Sequence, residues 1–402
     1  MEYHYSDRIK DLKGNAIREI FKLLSEPNFI SFAGGFPTKS LLPTDEVRDI
    51  TSYLMSSDEA EAILQYGSTE GYMPFRETAV EYVKRYGIDG MDVDNTLIVS
   101  GGQQTIDLMC KAFINKGDVM LVENPTYLAA LHILKTYEGV AVGVESGDDG
   151  LDIADLEAKI VKYQPKILYV VPTFSNPTGR TYSIEKRRAI AEITAKYNVM
   201  VLEDDPYSEL RFEGERVPSL KHYAIADNVV YTTSFSKTVA PGLRTGIAVG
   251  PKEVMRKLTI GKQAVDVHTA QLSQAILNEY IKRGLIDERL KVMIPVYREK
   301  KNAMIEAIER YMPKEFEYTN PEGGLFIFGR FDESLGIDCE DLFKKVCESK
   351  VAYVSGVSFY ADGSGRNTIR LNYSNASLEE IDTGIKRLGD FFKSELESKK
   401  TN

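Results

Sequence analysis

The sequence predicts an α/β protein: a mostly parallel sheet with helices on both faces, joined to a smaller α+β domain. Three observations carry that expectation. From residue 97 to about 250, short β-rich runs alternate with helical stretches, as in a layered α/β domain. Several of those runs are apolar at consecutive positions, which suits strands buried on both faces. Beyond residue 251 the order changes to long helices followed by short strands, the mark of a second unit.

In chain order, the expected strands are LIVS (97–100), VMLVE (119–123), VAVGV (140–144), ILYVVP (167–172), VMVLED (199–204), VVYTTSF (229–235) and TGIAVG (245–250). Helical patterns such as QQTIDLMCKAFI, IADLEAKIVKY and EKRRAIAEITAKY separate most of them. Helical pieces follow from 251, then a longer helix through IDERLKVMIPVYREKKNAMIEAIERY, with Pro295 expected to break or kink it. The tail supplies strands LFIFGRF, VAYVSG and TIRLNYS and a final charged amphipathic helix. No linker rich in Pro, Gly or Ser and no repeat is visible. The expected division is an arm and small-domain segment (1–44), a large domain (45–290) and a small C-terminal domain (291–402), packed closely with the site between them.

Composition narrows the function. The 402 residues are enough for two or more domains, and 43% hydrophobic with 27% charged residues is ordinary for a soluble globular chain. A formal net charge of −10 argues against a general nucleic-acid binder. Three scattered cysteines (Cys110, Cys339, Cys347) and four histidines form neither a disulfide framework nor a metal site. No apolar run reaches membrane-spanning length, and the N-terminus lacks the apolar region of a secretory signal. A cytoplasmic protein without membrane or nucleic-acid partners is the expectation.

Four motifs sit at strand ends, where α/β sheets gather ligands. Ser100-Gly101-Gly102-Gln103-Gln104 opens a helix, and glycines with free N–H groups there favour an anion, although an ordinary turn would look the same. Ser175-Asn176-Pro177-Thr178-Gly179 is a turn whose Asn amide could face a ligand oxygen. Glu203-Asp204-Asp205-Pro206-Tyr207 puts carboxylates at an apolar strand's end, costly unless exposed or paired. Ser234-Phe235-Ser236-Lys237 ends another strand, with Arg244 seven residues on. A desolvated lysine there loses its proton and becomes a nucleophile towards aldehydes, whereas a lone lysine is usually a surface charge.

Together, SGGQQ, ENPTY, SNPTG, EDDPY, SFSK, GLR and NTIRLNYS stand in the order found in class I and II aminotransferases, the fold-type I pyridoxal phosphate enzymes. ISFAGGFP and LQYGSTEGY belong to the same pattern, so the resemblance runs from about residue 8 to 390. It implies that Lys237 binds pyridoxal 5′-phosphate as a Schiff base and shuttles the substrate proton. Asp204 would keep the pyridine nitrogen protonated. Tyr207 and Asn176 would donate to the phenolic oxygen, and Tyr127 would lie on the ring face. Arg244, Ser234, Ser236, Gly102 and Gln103 would hold the phosphate, joined by Tyr66 from a partner subunit in a homodimer. Arg370 would grip the substrate α-carboxylate, with Gly35 and Asn176 beside it.

NAIREI, SFAGG, EDDPY and SFSK resemble most the 2-aminoadipate, kynurenine and aromatic group. Arg18 stands where relatives acting on acidic side chains meet the distal carboxylate, and Asn15 replaces the serine of some relatives. The resemblance implies transamination between an L-amino acid (2-aminoadipate or glutamate, aromatic or branched) and a 2-oxo acid such as 2-oxoglutarate. A pyridoxal phosphate lyase or decarboxylase on the same scaffold is the alternative. A ligand-sensing module of a transcription regulator is a third, disfavoured because SFAGG begins by residue 31 and the net charge is acidic.

Overall fold

The computed structural model describes residues 3–10, 12 and 27–401. Runs rich in Val, Ile, Thr and Tyr form the centre, since branched and aromatic side chains suit a pleated surface buried on both sides. Eight strands make one sheet: β1 (Thr96–Val99), β2 (Val119–Asn124), β3 (Val140–Gly147), β4 (Gly150–Leu151), β5 (Ile167–Val170), β6 (Met200–Asp204), β7 (Val229–Ser234) and β8 (Gly246–Val249). Their spatial order is β1-β8-β7-β6-β5-β2-β3-β4. The pairings β2–β3, β2–β5, β5–β6 and β6–β7 are parallel, while β8 runs antiparallel to both β7 and β1. Apart from β8 and the hairpin partner β4, all strands therefore point one way.

The alternation of side chains across the strands sorts them onto two helical layers. Leu121, Leu168, Val170 and Val201 pack with Leu156 and Ile160 of α3 and Ile190 of α4. Met120, Val122, Ile167, Tyr169 and Leu202 face the other way, into the core shared with Ile106 and Met109 of α1. Here α1 is Gly102–Phe113, α2 Leu128–Thr136, α3 Ile153–Tyr163 and α4 Ile184–Lys196. Each fully buried aliphatic contributes about 1.5–3 kcal/mol. Helix starts are set locally: Asp152 accepts from the Asp155 N–H at 3.0 Å and Ser183 from that of Lys186 at 3.2 Å.

Longer helices follow, α5 (Lys252–Asp266), α6 (Gln271–Lys282), α7 (Leu285–Tyr311) and α8 (Leu378–Thr401). A second, antiparallel sheet is formed by β9 (Phe316–Tyr318), β10 (Phe326–Phe331), β11 (Val354–Ser355) and β12 (Thr368–Asn372), ordered β9-β10-β12-β11. Its apolar face packs on α8, for example Phe331 against Phe392 with ring centroids 4.8 Å apart. Ile30–Ser31 pairs in parallel with Val351–Ala352, tying an early segment to this sheet's neighbourhood.

Two expectations need correction. VAYVSG is not one strand: Val351–Ala352 pairs with Ile30–Ser31, and Val354–Ser355 pairs with β12. Of the break or kink expected at Pro295, the break does not occur, because Pro295 lies inside α7. Proline removes one helical hydrogen bond, and because Pro295 and Lys291 are both exposed, water can serve the freed Lys291 carbonyl.

Candidate active site

Because β1, β5, β6 and β7 point the same way, their carboxyl ends share one edge of the sheet. A cavity of about 450 Å³ opens there, closed on its other side by Phe326 of β10 and Arg370 of β12. Gly102, Gln103, Tyr127, Asn176, Asp204, Tyr207, Ser234, Ser236, Lys237, Arg244, Gly35 and Arg370 all line it. Four sequence motifs thus converge on one space.

Lys237 follows β7 and projects into the cavity, where its Nζ donates to the Gly35 carbonyl at 2.7 Å. Burial, with the charges of Arg370 and Arg244, brings its ammonium down to about 8. Roughly a tenth of the amines are then unprotonated at pH 7, enough to supply a nucleophile for an aldehyde. Asp204 ends β6 with its Oδ2 accepting from the Tyr169 hydroxyl at 2.8 Å. Burial pushes its carboxyl up to about 7, opposed by that hydrogen bond and reinforced by Asp205. Such a carboxylate has strong need of a cationic partner.

At one end of the cavity, Gly101 adopts φ +87° and α1 begins at Gly102. A Cβ on Gly101 would collide with Arg244 Nη2, and one on Gly102 would stand 3.4 Å from Asp204 Oδ1. The free N–H groups of the α1 start, the Ser234 and Ser236 hydroxyls (2.9 Å apart) and the Arg244 guanidinium, which donates to Ser236 at 3.4 Å, surround this end. The donor set suits a phosphate dianion.

At the other end, Arg370 is 2% exposed. Its Nη1 donates to Asn176 Oδ1 at 2.9 Å and its Nη2 to the Ala33 carbonyl, while Nε has no partner. The guanidinium lies between the rings of Phe326 and Phe359, at 4.3 and 5.1 Å. Burial brings its guanidinium down to about 10, so it remains a cation at neutral pH. Among the described residues no carboxylate comes within ion-pair distance of Arg370, Lys237 or Arg244. Three cations against Asp204 alone make this a cavity for an anionic ligand. Tyr207 stacks edge-on to Phe326 at 5.9 Å, and burial raises both its phenol and that of Tyr127, the latter to about 12.

Among the described residues, one expected site residue does not line the cavity of its own chain. Tyr66 is 81% exposed, with its ring edge against His268 at 6.0 Å, outside the cavity. Arg18 and Asn15 lie outside the described residues. Conversely, sequence reading missed Tyr169, Phe36, Leu128, Phe326 and Phe359. Tyr169 carried a usable signal: a hydroxyl inside the otherwise apolar run ILYVVP must find a buried partner. No helix among the described residues is long and apolar enough to cross a membrane, and none of their acidic, Cys and His side chains cluster as a metal site.

Comparison with known proteins agrees with this chemistry. Residues 35–388 match the family described as aminotransferase class I and II. The chain is 38% identical to an aromatic-amino-acid aminotransferase of Thermococcus litoralis, over 98% of this chain and 95% of that one. It is 37% identical to a 2-aminoadipate transaminase of Thermus thermophilus, over 94% of each. A solved kynurenine aminotransferase of Pyrococcus horikoshii, in complex with PMP, superposes with a TM-score of 0.93 at 36% identity, covering 98% of this chain and 97% of that one. With its fold, its cavity and these relatives agreeing, the chain belongs to the class I and II aminotransferases, fold-type I enzymes that work with pyridoxal phosphate.

Proposed function

We propose that this aminotransferase exchanges amino groups between L-amino acids, 2-aminoadipate or glutamate and aromatic or branched ones, and a 2-oxo acid such as 2-oxoglutarate. The observation that carries the reading is Arg370: a buried guanidinium without a carboxylate partner, aimed into the same cavity as the Lys237 amine. A substrate α-carboxylate supplies the missing anion as a bidentate pair. The surrounding Phe36, Leu128, Tyr127 and Phe326 offer an apolar wall for a large side chain. The relatives named for aromatic amino acids, 2-aminoadipate and kynurenine support that range.

Pyridoxal phosphate, when bound, supplies an electron sink for the substrate's Cα. The residues present fit it. The α1 start with Gly102 and Gln103, Ser234, Ser236 and Arg244 hold the phosphate. Asp204, unpaired except for Tyr169, holds a proton on the ring nitrogen. Tyr207 and Asn176 would orient the phenolic oxygen, and Tyr127 would cover the ring. Lys237 Nζ, with its amine free, would take the substrate's Cα proton and hold it for return on the same face. Gly35 and Arg370 fix the substrate so that this C–H faces Lys237.

The chain further acts as a homodimer, with Tyr66 serving the partner's phosphate. Leu64, Tyr66 and Val267 are exposed together near His268 and Gln271, a supporting sign of a covered face. A cytoplasmic setting, and the division at residues 44 and 290, belong to the same reading. The finer assignment is that Arg18 meets the distal carboxylate of acidic donors. The test is a panel of amino acids with 2-oxoglutarate on wild type and Arg18→Ala. Loss confined to acidic donors is expected; equal loss across the panel, or none, refutes the Arg18 assignment.

A further inference from the structure

We infer that Asp266 and Lys262, remote in sequence from every motif above, are positioning residues for the phosphate-holding turn. The inference rests on the reading of Gly102, Gln103 and Arg244 as phosphate ligands. Ser100, which carries that turn out of β1, is held at three atoms. Its N–H donates to Gln104 Oε1 at 2.8 Å, its carbonyl accepts from Arg244 Nη2 at 3.1 Å, and its Oγ donates to Asp266 Oδ2 at 2.9 Å. The same Asp266 oxygen accepts from Gln104 Nε2 at 2.8 Å, so one carboxylate fixes both ends of the turn.

Lys262 completes the network from α5. Its side chain is wholly buried, bonds to Asp266 Oδ1 and Oδ2 at 2.7 and 2.8 Å, and donates to Gln104 Oε1 at 2.9 Å. A buried ammonium one helical turn from its carboxylate is a poor choice for stability alone, since desolvation offsets most of the attraction. Its geometric effect is specific: with Lys262 and Ser100 N–H both on Oε1, Gln104 can present only Nε2 to Asp266, and the amide orientation is settled. The chain also accepts an unusual backbone to complete the arrangement. Val267, a β-branched residue, takes φ +64° and ψ −59°, and the turn it makes returns Thr269 Oγ1 to 3.1 Å from Ser100 Oγ. Gly102 and Gln103, between Ser100 and Gln104, are thereby held with their N–H groups set before any ligand arrives, while the Gly101 N–H is given to the Val99 carbonyl at 2.8 Å.

The test compares binding of pyridoxal 5′-phosphate and of pyridoxal, which lacks the phosphate, to the full-length chain stripped of cofactor. Asp266→Ala is expected to weaken the phosphate form about tenfold while leaving pyridoxal unchanged. If both ligands weaken equally, or neither does, the network is merely structural and the inference is overturned. Should Asp266→Ala fail to fold, the double variant Lys262→Met/Asp266→Leu removes the pair without stranding a charge, and the same two outcomes decide. Arg244→Ala serves as the control. If it too spares the phosphate form, the phosphate reading itself has failed; if it weakens that form and Asp266→Ala does not, only the positioning role is wrong.

Discussion

Asp204→Asn is expected to stabilise the cofactor-free chain while removing a group its chemistry needs. Asp204 is 6% exposed, and burial lifts its carboxyl from 3.8 to about 7. The folded chain therefore holds a proton that the unfolded chain releases from pH 4 upward. Stability falls as pH rises through that window and levels off above pH 7. At about 1.36 kcal/mol per pH unit, the gap of roughly 3 units amounts to about 4 kcal/mol at pH 8 and about 2 kcal/mol at pH 5. The amide carries no charge and can still accept the Tyr169 hydroxyl, so the substitution relieves the burial penalty without orphaning a partner. Glu203 and Asp205 are also raised by burial, but they titrate in both proteins and their slopes cancel in the difference. The assay is denaturation of cofactor-free wild type and variant at pH 5 and pH 8. The variant should be the more stable, by a margin that grows with pH, and the order should reverse once pyridoxal phosphate is added. A margin that does not change between the two pH values, or a variant less stable at pH 8, would refute the account of Asp204 as a buried charge awaiting its partner.

Arg370→Lys leaves a cation but no fork between Phe326 and Phe359, and should lower kcat/KM by about 2–3 kcal/mol, or roughly 30- to 150-fold, for every amino acid tested. Amines lacking a carboxylate should show no such loss. Lys237→Ala should abolish transamination, and borohydride reduction should attach the cofactor covalently to wild type but leave the variant unlabelled by mass spectrometry. Gly101→Ala combines a left-handed backbone, costing about 1 kcal/mol or more, with a Cβ pressed against Arg244. Its expected readout is faster loss of cofactor on dialysis, reversed by added pyridoxal phosphate.

How much of this was legible beforehand follows from how far each interaction reaches along the chain. SGGQQ, SNPTG and EDDPY are local turns at strand ends, and their glycines, prolines and acids announce them within five residues. The large sheet could be read because consecutive apolar positions betray two-sided burial. What could not be read are contacts made by folding alone. Arg370 meets Asn176 across 194 positions and Lys237 meets Gly35 across 202. Nothing near Lys262 in KLTIGKQAVD distinguishes it from its solvent-facing neighbours, yet it is the wholly buried one. Strand ends were read one or two residues too long in ILYVVP and TGIAVG, where the chain leaves the ladder. Tyr66 shows a different limit, because its surroundings in the chain are solvent and the expectation concerned a second copy.

The reversed direction of β8 has a consequence for how the cation pair is spaced. Parallel neighbours must be joined by a crossover of a dozen or more residues that leaves the sheet edge and returns from the far side. β8 instead begins where β7 stops, with Ser234 opposite Gly246. All of residues 235–245 therefore stays at the ligand edge, and Lys237 and Arg244 share a single tethered span. The distance between the amine proposed to meet the aldehyde and the guanidinium proposed to meet the phosphate is set by one short connection anchored at both ends. Insertions elsewhere along the ligand edge can reshape the cavity, but lengthening this span would slacken the gauge by which the two ends of one cofactor are measured.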